Sequence, residues 1–429
     1  METIANTVPL KSAFLKVLAV PSFRSLWIGQ VCSQLASNTM LFVLALRVYQ
    51  QTGSNAAVSI LFLVYGVPAV VFGMMAGTIV DKLENRKVLI FCDVARAILM
   101  IAFIFMYKNL LAIYFFTFLN AIITQFYVPA EAPTLPYLVP KQQIMTANSL
   151  FSFTFFSSLA VGSITAGPLL RWFGPMGVFL VLGLLFLAAG ISVSRIPPIR
   201  ENARPIGEFL AKSPLYLLER LFANVEEGIK YIRSSSVLSD ALLLLMGTQV
   251  ILAILATLGP GFADTVLEID IHDASLIITG PAVLGILLGA LWVGNQGSRI
   301  VPKQLIHVGV LSAGIILIVI SITVGLTHVA RLDWLLTKSV LVPIEFFLFF
   351  LLGVSNSLLD VPANSALQRE SAGAMRGRVY GMLTAAVGGI GVLPVVVGGV
   401  LADAIGPGRV IFLLGSGILI YGVYRLRLK

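Results

Sequence analysis

The chain of 429 residues is poor in charge: only 11% of its residues are Asp, Glu, Lys or Arg, whereas 58% are hydrophobic. Soluble globular proteins carry about 25% charged residues, so this chain cannot cover a water-facing surface. Its mean hydropathy of +0.96 indicates a membrane protein and excludes a disordered chain. The two cysteines, Cys32 and Cys92, lie in apolar runs, and so few thiols exclude a disulfide-rich secreted domain.

Residues that carry chemistry are also scarce. The three histidines, His272, His307 and His328, show no metal-ligand spacing, and no GxxxxGK[ST] loop that would bind ATP occurs. The sequence therefore predicts no catalytic residue, no metal site and no cofactor, and it argues against an enzyme. The net charge of +9 reflects Lys and Arg in cytoplasmic loops, which we interpret as membrane topology and not as nucleic-acid binding.

A helix needs about 20 mostly apolar residues to cross a bilayer. The predicted spans cover 25–48, 56–80, 88–107, 110–132, 144–168, 175–195, 237–260, 274–294, 304–326, 339–360, 379–402 and 409–425. Most of the 29 basic residues then fall on one side, which predicts that both termini are cytoplasmic in a plasma membrane or bacterial inner membrane. The opposite loop after span seven, 261–274, carries acidic residues and no basic one.

The longest polar stretch, 194–240, separates six predicted spans from six. We therefore expect an all-α membrane protein with a six-helix bundle over 1–195, a cytoplasmic linker over 196–236 and a second bundle over 237–429. Within the linker, apolar residues recur at helical spacing opposite charged ones. This pattern predicts either an amphipathic helix on the inner membrane surface or a solvated helix that packs on the bundle ends.

The two halves repeat each other in sequence, so the two bundles are expected to be pseudo-symmetric. Three segments recur in the same order, each at the corresponding span of the other half. They are 68–70 with 281–283, 128–130 with 361–363, and 167–175 with 399–407. Internal repetition of six-span halves is typical of secondary transporters.

The loop after span two carries a recognisable pattern of residues. Its members are Gly77, Asp81, Lys82, Arg86 and Lys87. The glycine allows a close approach of helices, and the acid at the helix end can pair with the loop cations. This pattern resembles the signature loop between spans two and three of the major facilitator superfamily. The resemblance covers nearly the whole chain and implies a monomeric twelve-helix transporter with this loop at its gate.

Several segments are similar to the macrolide-efflux and enterobactin-exporter branch of the drug:proton antiporters. They are 23–30, 48–54, 93–96, 126–130, 138–140 and 147–150. This resemblance implies export of a hydrophobic or amphipathic small molecule, with protons as the coupling ion. A siderophore exporter and a lysophospholipid flippase that needs no proton remain open on the same fold. A non-transporting membrane sensor also remains open, because the loop 289–303 after span eight contains no acidic residue.

Span one carries a polar stripe that could line a substrate cavity. Its members, Gln30, Gln34, Ser37 and Asn38, are spaced i, i+4, i+7 and i+8 and so share one helical face. The alternative is that they hydrogen-bond to neighbouring helices and hold the bundle together. Further cavity candidates in other spans are Asn120, Thr124, Gln125 and Asn356.

Ionisable residues inside spans cost about 2.5 to 3.5 kcal/mol on insertion scales and are therefore candidates for function. Glu345 in span ten has no cation near it in sequence, and we expect it to carry the coupling proton. The alternative is a permanently protonated or snorkelling side chain near the outer interface. Asp93 and Arg96 are three residues apart and are expected to pair, as gate or structural residues. An inner gate is expected from Asp81, Glu131, Asp360, Arg376 and Arg378.

Overall fold

The computed structural model describes residues 10–80, 83–198, 230–296, 300–327, 338–370, 379, 383 and 391–427. Within these ranges the chain forms helices joined by short turns, and no strand occurs. Ten of the described helices are long and apolar enough to cross a membrane. The predicted all-α membrane fold is therefore confirmed, whereas the count of twelve spans stays a prediction.

The α-helices of eight residues or more are numbered here in chain order. They are α1 Leu10–Leu18, α2 Pro21–Thr52, α3 Asn55–Val80, α4 Asn85–Met106, α5 Leu110–Leu138, α6 Ile144–Ser194, α7 Ser236–Thr265, α8 Gly280–Gln296, α9 Pro302–Thr327, α10 Lys338–Glu370, α11 Val392–Ile405 and α12 Pro407–Arg427. Each predicted span overlaps one of α2 to α12.

Helix α6 contains two of the predicted spans. Its 51 residues continue through Gly174, whose backbone has φ 64° and ψ 175°. Glycine adopts positive φ without the steric cost that a Cβ brings, so the chain turns here between two helical arms without a separate loop. The arms agree with the predicted spans 144–168 and 175–195. The eleventh predicted span, 379–402, is represented by α11, which has 14 residues.

Helix α1 was not predicted. It has nine residues and is amphipathic: Val17 is buried, whereas Lys16 is exposed. Nine residues span too few turns for their periodicity to stand out in a chain that is hydrophobic nearly throughout. The predicted linker helix lies largely in 199–229, outside the described residues.

The chain divides into two compact units. Unit 1 comprises Met1–Phe42, Val71–Gly162 and Phe173–Lys212, and unit 2 comprises Val43–Val70, Ser163–Trp172 and Ser213–Lys429. Helices α2, α3 and α6 therefore contribute residues to both units. The domain limits at 195 and 237 expected from the sequence stay a prediction.

The core of unit 1 is formed by α2, α4, α5 and α6. Phe23, Leu26, Leu89 and Val193 are fully buried in it. A Cβ at Gly29 of α2 would lie 2.7 Å from Cγ2 of Val193 on α6. Small residues of this kind let two membrane helices approach closely. Such close packing holds membrane helices together, because lipid offers no hydrophobic driving force for their association.

In unit 2, glycines also mark the closest helix approaches. A Cβ at Gly314 of α9 would lie 2.8 Å from the amide nitrogen of Leu419 on α12. Cβ atoms at Gly285 of α8 and Gly353 of α10 would overlap backbone carbonyl groups of the facing helix. The helix pairs α9–α12 and α8–α10 thus pack backbone against backbone.

Candidate functional site

Unit 1 buries an ion pair between two residues of α4. Arg96 Nη1 lies 3.8 Å from Asp93 Oδ1, and the two side chains are 2% and 0% exposed. Ser33 of α2 connects them: its hydroxyl accepts from Arg96 Nη1 at 2.9 Å and donates to Asp93 Oδ1 at 2.9 Å. The pair expected from the i, i+3 spacing is thus present, and its role at a gate stays a prediction.

The Arg96 guanidinium is enclosed by aromatic rings. Its Cζ lies 4.6 Å from the ring centroid of Tyr127 on α5 and 5.6 Å from that of Phe186 on α6. Cation–π attraction at this distance reaches about 2 kcal/mol when the site is desolvated. Four helices, α2, α4, α5 and α6, therefore hold this cation in place.

Glu131 lies one turn after Tyr127 on α5 and is 8% exposed. It is within electrostatic range of both Asp93 and Arg96. Among the described residues, Glu131 Oε1, Asp93 Oδ2 and the Tyr127 hydroxyl have no hydrogen-bond partner. The structure therefore places Glu131 near the Asp93–Arg96 pair, one turn from Tyr127, whose ring centroid lies 4.6 Å from Arg96 Cζ. Its expected gate partners Arg376 and Arg378 lie outside the described residues, as do Asp81 and Lys82.

Glu345 lies in unit 2, in the first half of α10, and its side chain is fully buried. Thr323 of α9 donates a hydrogen bond of 2.6 Å to its Oε1. Its Oε2 has no hydrogen-bond partner among the described residues, and no described cation forms an ion pair with it. Glu345 is thus buried as expected, with one hydroxyl group as its polar contact.

The polar stripe of α2 is partly used in helix packing. Gln30 is 4% exposed, and its Nε2 donates to the Phe151 carbonyl of α6 at 3.5 Å. Asn38 packs against Gly162, which also belongs to α6. A Cβ added at Gly162 would lie 3.0 Å from Asn38 Cβ. Gln34 and Ser37 are half-buried. Gln30 thus makes the interhelical hydrogen bond that the alternative expects, whereas Asn38 packs against α6 and its Nδ2 has no hydrogen-bond partner among the described residues. A cavity-lining role for the stripe stays a prediction.

The other cavity candidates differ in their surroundings. Thr124 and Gln125 of α5 hydrogen-bond to carbonyl groups of their own helix, those of Asn120 and Ala121. The Asn120 side chain is fully buried, and neither of its amide atoms has a hydrogen-bond partner among the described residues. Asn356 and the gate candidate Asp360 are half-buried on α10.

The loop after α3 is described in part. Arg86 Nη2 donates to the Ser194 carbonyl at 2.6 Å, and Lys87 Nζ forms an ion pair of 2.8 Å with Glu84. No described atom other than those of its own helix lies within 4 Å of the position that a Cβ at Gly77 would take. The close helix approach expected at Gly77 is therefore not seen among the described residues.

At one end of unit 2, Asp403 of α11 caps the start of α3. Its Oδ1 accepts from the backbone N–H of Asn55 at 2.7 Å, and its Oδ2 accepts from that of Ala56 at 3.1 Å. The Ser54 hydroxyl and the Asn55 amide also donate to this carboxylate. The first N–H groups of a helix lack partners within the helix and carry partial positive charge, so a carboxylate there is stabilising. We call this contact the Asp403 clamp.

A second contact joins α6 to the segment before α8. Arg171 Nη2 lies 3.2 Å from Asp270 Oδ2 and 2.9 Å from Asp273 Oδ1. The backbone N–H of His272 donates to Asp270, and this bond, helped by the His272 ring and the Arg171 charge, holds the pKa of Asp270 below its ordinary value. We call this contact the Arg171 clamp.

The two clamps are related by the sequence repeat. Arg171 follows Gly167, and Asp403 follows Gly399, at the same distance within the repeated segment. Beside each glycine a serine hydroxyl crosses between helices. Ser59 of α3 donates to the Val395 carbonyl of α11 at 3.1 Å, and Ser275 donates to the Ile164 carbonyl of α6 at 3.4 Å. The same packing device thus occurs twice, each time with a charged residue one turn further on.

Sequence reasoning did not assign these residues a function. Arg171 and Asp403 lie inside the repeated segments, and Asp270 and Asp273 lie in the acidic loop, so part of the signal was present. Because Arg171 and Asp403 carry opposite charges, the sequence does not indicate that they occupy corresponding positions of the repeat. The partners of Asp403 are backbone groups distant in sequence, which no side-chain pattern reveals.

Comparison with known proteins places this arrangement in context. The sequence model of the family described as the Major Facilitator Superfamily matches residues 26–393 of this chain. Macrolide efflux protein A of Streptococcus pyogenes is 25% identical over 71% of this chain and 72% of that protein. Enterobactin exporter EntS of Escherichia coli is 25% identical over 95% of this chain and 91% of that protein. The crystal structure of the nucleoside transporter NupG, at 13% identity, shares the fold with a TM-score of 0.70 over 94% of this chain and 98% of that one.

Proposed function

Because the chain belongs to the major facilitator superfamily, and is thus a multi-pass membrane transporter and not an enzyme, we propose that it exports a hydrophobic or amphipathic small molecule. Membership confirms the family expected from the sequence. The likeness to macrolide efflux protein A carries the proposal for the substrate class, and it extends over 319 residues. Export proceeds by alternating access across the bacterial inner membrane, and the transporter works as a monomer.

Proton entry drives the export, and Glu345 carries the proton. Its carboxyl is fully buried, touches the Thr323 hydroxyl and has no ion-pair partner among the described residues. A carboxylate without a counter-charge is costly to bury, whereas a protonated carboxyl is neutral. Burial in one state of the cycle and access to water in another therefore couple proton binding and release to the movement.

In the topology predicted from the basic residues, the Asp403 and Arg171 clamps lie on the external side. Alternating access requires contacts at this end to break whenever the substrate leaves to the outside. We propose that these clamps are among them. Each clamp joins the first half of the sequence to the second, and all their residues belong to unit 2.

Export is tested first in cells loaded with a panel of fluorescent dyes and macrolides, with and without a protonophore. We expect cells that contain the protein to extrude at least one panel member, and the protonophore to abolish this extrusion. Equal accumulation of every panel member in cells with and without the protein would argue against a drug-like substrate.

The coupling role of Glu345 is tested by Glu345→Gln. We expect this variant to bind the extruded panel member but to lose protonophore-sensitive export, because an amide cannot carry the proton. The matched control is Glu370→Gln, since Glu370 lies on the same helix, is exposed and contributes only its backbone carbonyl to a described hydrogen bond. Gradient-dependent export that continues unchanged in Glu345→Gln would remove the residue from the mechanism.

A siderophore is the second candidate substrate, because the likeness to enterobactin exporter EntS extends over 95% of this chain. It predicts that deletion of the protein lowers the siderophore content of iron-starved medium while dye extrusion is unaffected. An unchanged siderophore content would favour the drug-like substrate.

A further inference from the structure

The buried cluster of unit 1 holds more negative than positive groups. We define it as the Asp93 cluster: Asp93 and Arg96 of α4, with Tyr127 and Glu131 of α5 and Ser33 of α2. The positive charge of the Arg96 guanidinium balances the negative charge of one carboxylate. With both carboxyl groups ionised, one negative charge therefore has no counter-charge in the cluster.

A charged group without a counter-charge has a high free-energy cost when it is buried as deeply as in this cluster. Asp93 is fully buried, Arg96 is 2% exposed and Glu131 is 8% exposed. An uncompensated ion in such surroundings neutralises itself by proton binding before it pays the full cost of desolvation. The charge balance therefore calls for one proton in the cluster.

We propose that the Asp93 cluster is a second proton-exchange site of this transporter, with Glu131 as the carboxyl that binds and releases the proton. The inference rests on the proposed proton-coupled export and adds to it a site in unit 1, separate from Glu345 in unit 2. The step transfers one proton between water and a carboxylate oxygen of Glu131, and no bond between heavy atoms forms or breaks.

The geometry assigns the proton to Glu131 and not to Asp93. Asp93 Oδ1 accepts a hydrogen bond from Ser33 and lies 3.8 Å from Arg96, which favours its ionised form. Glu131 forms no described ion pair, and its Oε1 has no hydrogen-bond partner among the described residues.

Besides the two carboxyl groups and Arg96, the titratable groups in or near the cluster are Cys32 of α2, Cys92 of α4 and Tyr127 of α5. All three are neutral near pH 7 when unperturbed. The described contacts from α6 are Phe186, which stacks on Arg96, and Gly190 beside the Asp93 Cβ. Neither can titrate, so the exchange of one proton is left to the two carboxyl groups.

Arg96 provides the means to release the proton. The guanidinium is held by the Tyr127 ring on one side and by the Ser33 hydroxyl on another. Tyr127 and Glu131 share α5, so a shift of α5 along α4 would change the distance from Arg96 to Glu131. A guanidinium closer to Glu131 favours its ionised form and expels the proton.

The proposal is tested by infrared difference spectroscopy of the purified full-length protein in lipid, titrated with pH. The carbonyl stretch of a protonated carboxyl group is the readout, because it does not depend on transport. We expect Glu131→Gln to lose one pH-dependent component of this band. Glu345→Gln serves as control, since it should lose a different component and keep that of Glu131.

The infrared band of the Arg96→Gln variant provides a second test, with a result that a purely structural role would not produce. Without the cation, Asp93 loses its counter-charge, so we expect a further protonated-carboxyl component near neutral pH. A band that is identical in wild type and Glu131→Gln at every pH overturns the proposal, and so does a Glu131 component that never changes with pH.

Transport of ethidium into energised inverted vesicles then separates this inference from the proposed function. We expect Glu131→Gln to lose protonophore-sensitive uptake while it still binds ethidium. If the wild type fails to move ethidium or any dye but shows the Glu131 component, the proposed export fails and the proton site stands. If wild type and Glu131→Gln take up ethidium equally with the same pH dependence, the site has no part in coupling.

Discussion

The charged residues of the two clamps, Asp403 and Arg171, contact different kinds of groups. Asp403 accepts from two backbone N–H groups at the start of α3, where the helix dipole adds to the attraction. Arg171 instead pairs with carboxylates that are, like itself, partly exposed: the side chains of Arg171, Asp270 and Asp273 are 43%, 52% and 31% exposed. Removal of a helix cap costs about 1 kcal/mol, whereas exposed ion pairs contribute about 0 to 1 kcal/mol.

We therefore expect Asp403→Ala to lower the free energy of unfolding by about 1 kcal/mol, since it removes the cap and its charge. Arg171→Gln should cost less. Thermal unfolding of both variants in the same detergent, followed by tryptophan fluorescence, measures the difference. A larger loss for Arg171→Gln would show that the exposed ion pairs carry the contact.

The Arg171 clamp should respond to acid. The pKa of Asp270 is below its ordinary value of 3.8, so its contribution to stability is present above that pH and is lost as the pH falls through the lowered pKa. Asp270→Asn is expected to melt at a lower temperature than wild type at neutral pH. This gap should close in acid below the ordinary value; a gap that stays constant with pH would contradict the assignment.

At the scale of helices, glycine decides how closely α6 and α11 approach their neighbours. A Cβ at Gly399 would overlap the Ser59 hydroxyl of α3 and lie 2.7 Å from the Asn55 carbonyl. A Cβ at Gly167 would overlap the His272 carbonyl. Backbone atoms cannot rotate away as a flexible side chain can, so the helices themselves would have to separate.

Gly399→Ala and Gly167→Ala should each lower the free energy of unfolding by about 1 to 3 kcal/mol, the usual cost of overpacking. Gly417→Ala on α12 is the matched control, because nothing lies within 4 Å of its added Cβ among the described atoms. It should be neutral or stabilising, by up to about 1 kcal/mol, since alanine favours the helix. Chemical unfolding in one detergent compares the three variants, and an equal effect of all three would refute the packing argument.

For the molecule as a whole, the proposed alternating access would make the clamps temporary. Ser54, the residue before α3, donates from its hydroxyl to Asp403 of α11, and both side chains are short. We expect the double variant Ser54→Cys, Asp403→Cys to form a disulfide on oxidation, to stop exporting, and to recover when a reductant is added. The two single variants are the controls and should export equally with and without oxidant. Continued export by the cross-linked protein would show that this end need not open.

Much of the fold could be predicted from the sequence because the physics is local. About 20 apolar residues must form a helix in a bilayer, and the repeat pairs the spans of one half with those of the other. The limits of this reasoning appear at Gly174, where a positive φ turns the chain between the two arms of α6 without a separate loop. They also appear at α1, whose nine residues give too short a pattern.

Less of the candidate site could be predicted. The Asp93–Arg96 pair was expected because both residues lie on one helix. The position of Glu131 beside them depends on how α5 packs against α4, which no local pattern encodes. The cap on α3 joins Asp403 to residues near 55 through backbone atoms, and only the folded chain brings them together.

The opposite charges of Arg171 and Asp403 bear on the history of the chain. If the halves descend from one six-helix ancestor that paired with its own copy, both positions once held the same residue, and at least one was replaced after the copies joined. The replacement makes the halves unequal. Two copies of the first half would bring an arginine to the amino-terminal end of α3, where the helix dipole repels a cation. At this contact, therefore, a copy of the first half cannot take the place of the second.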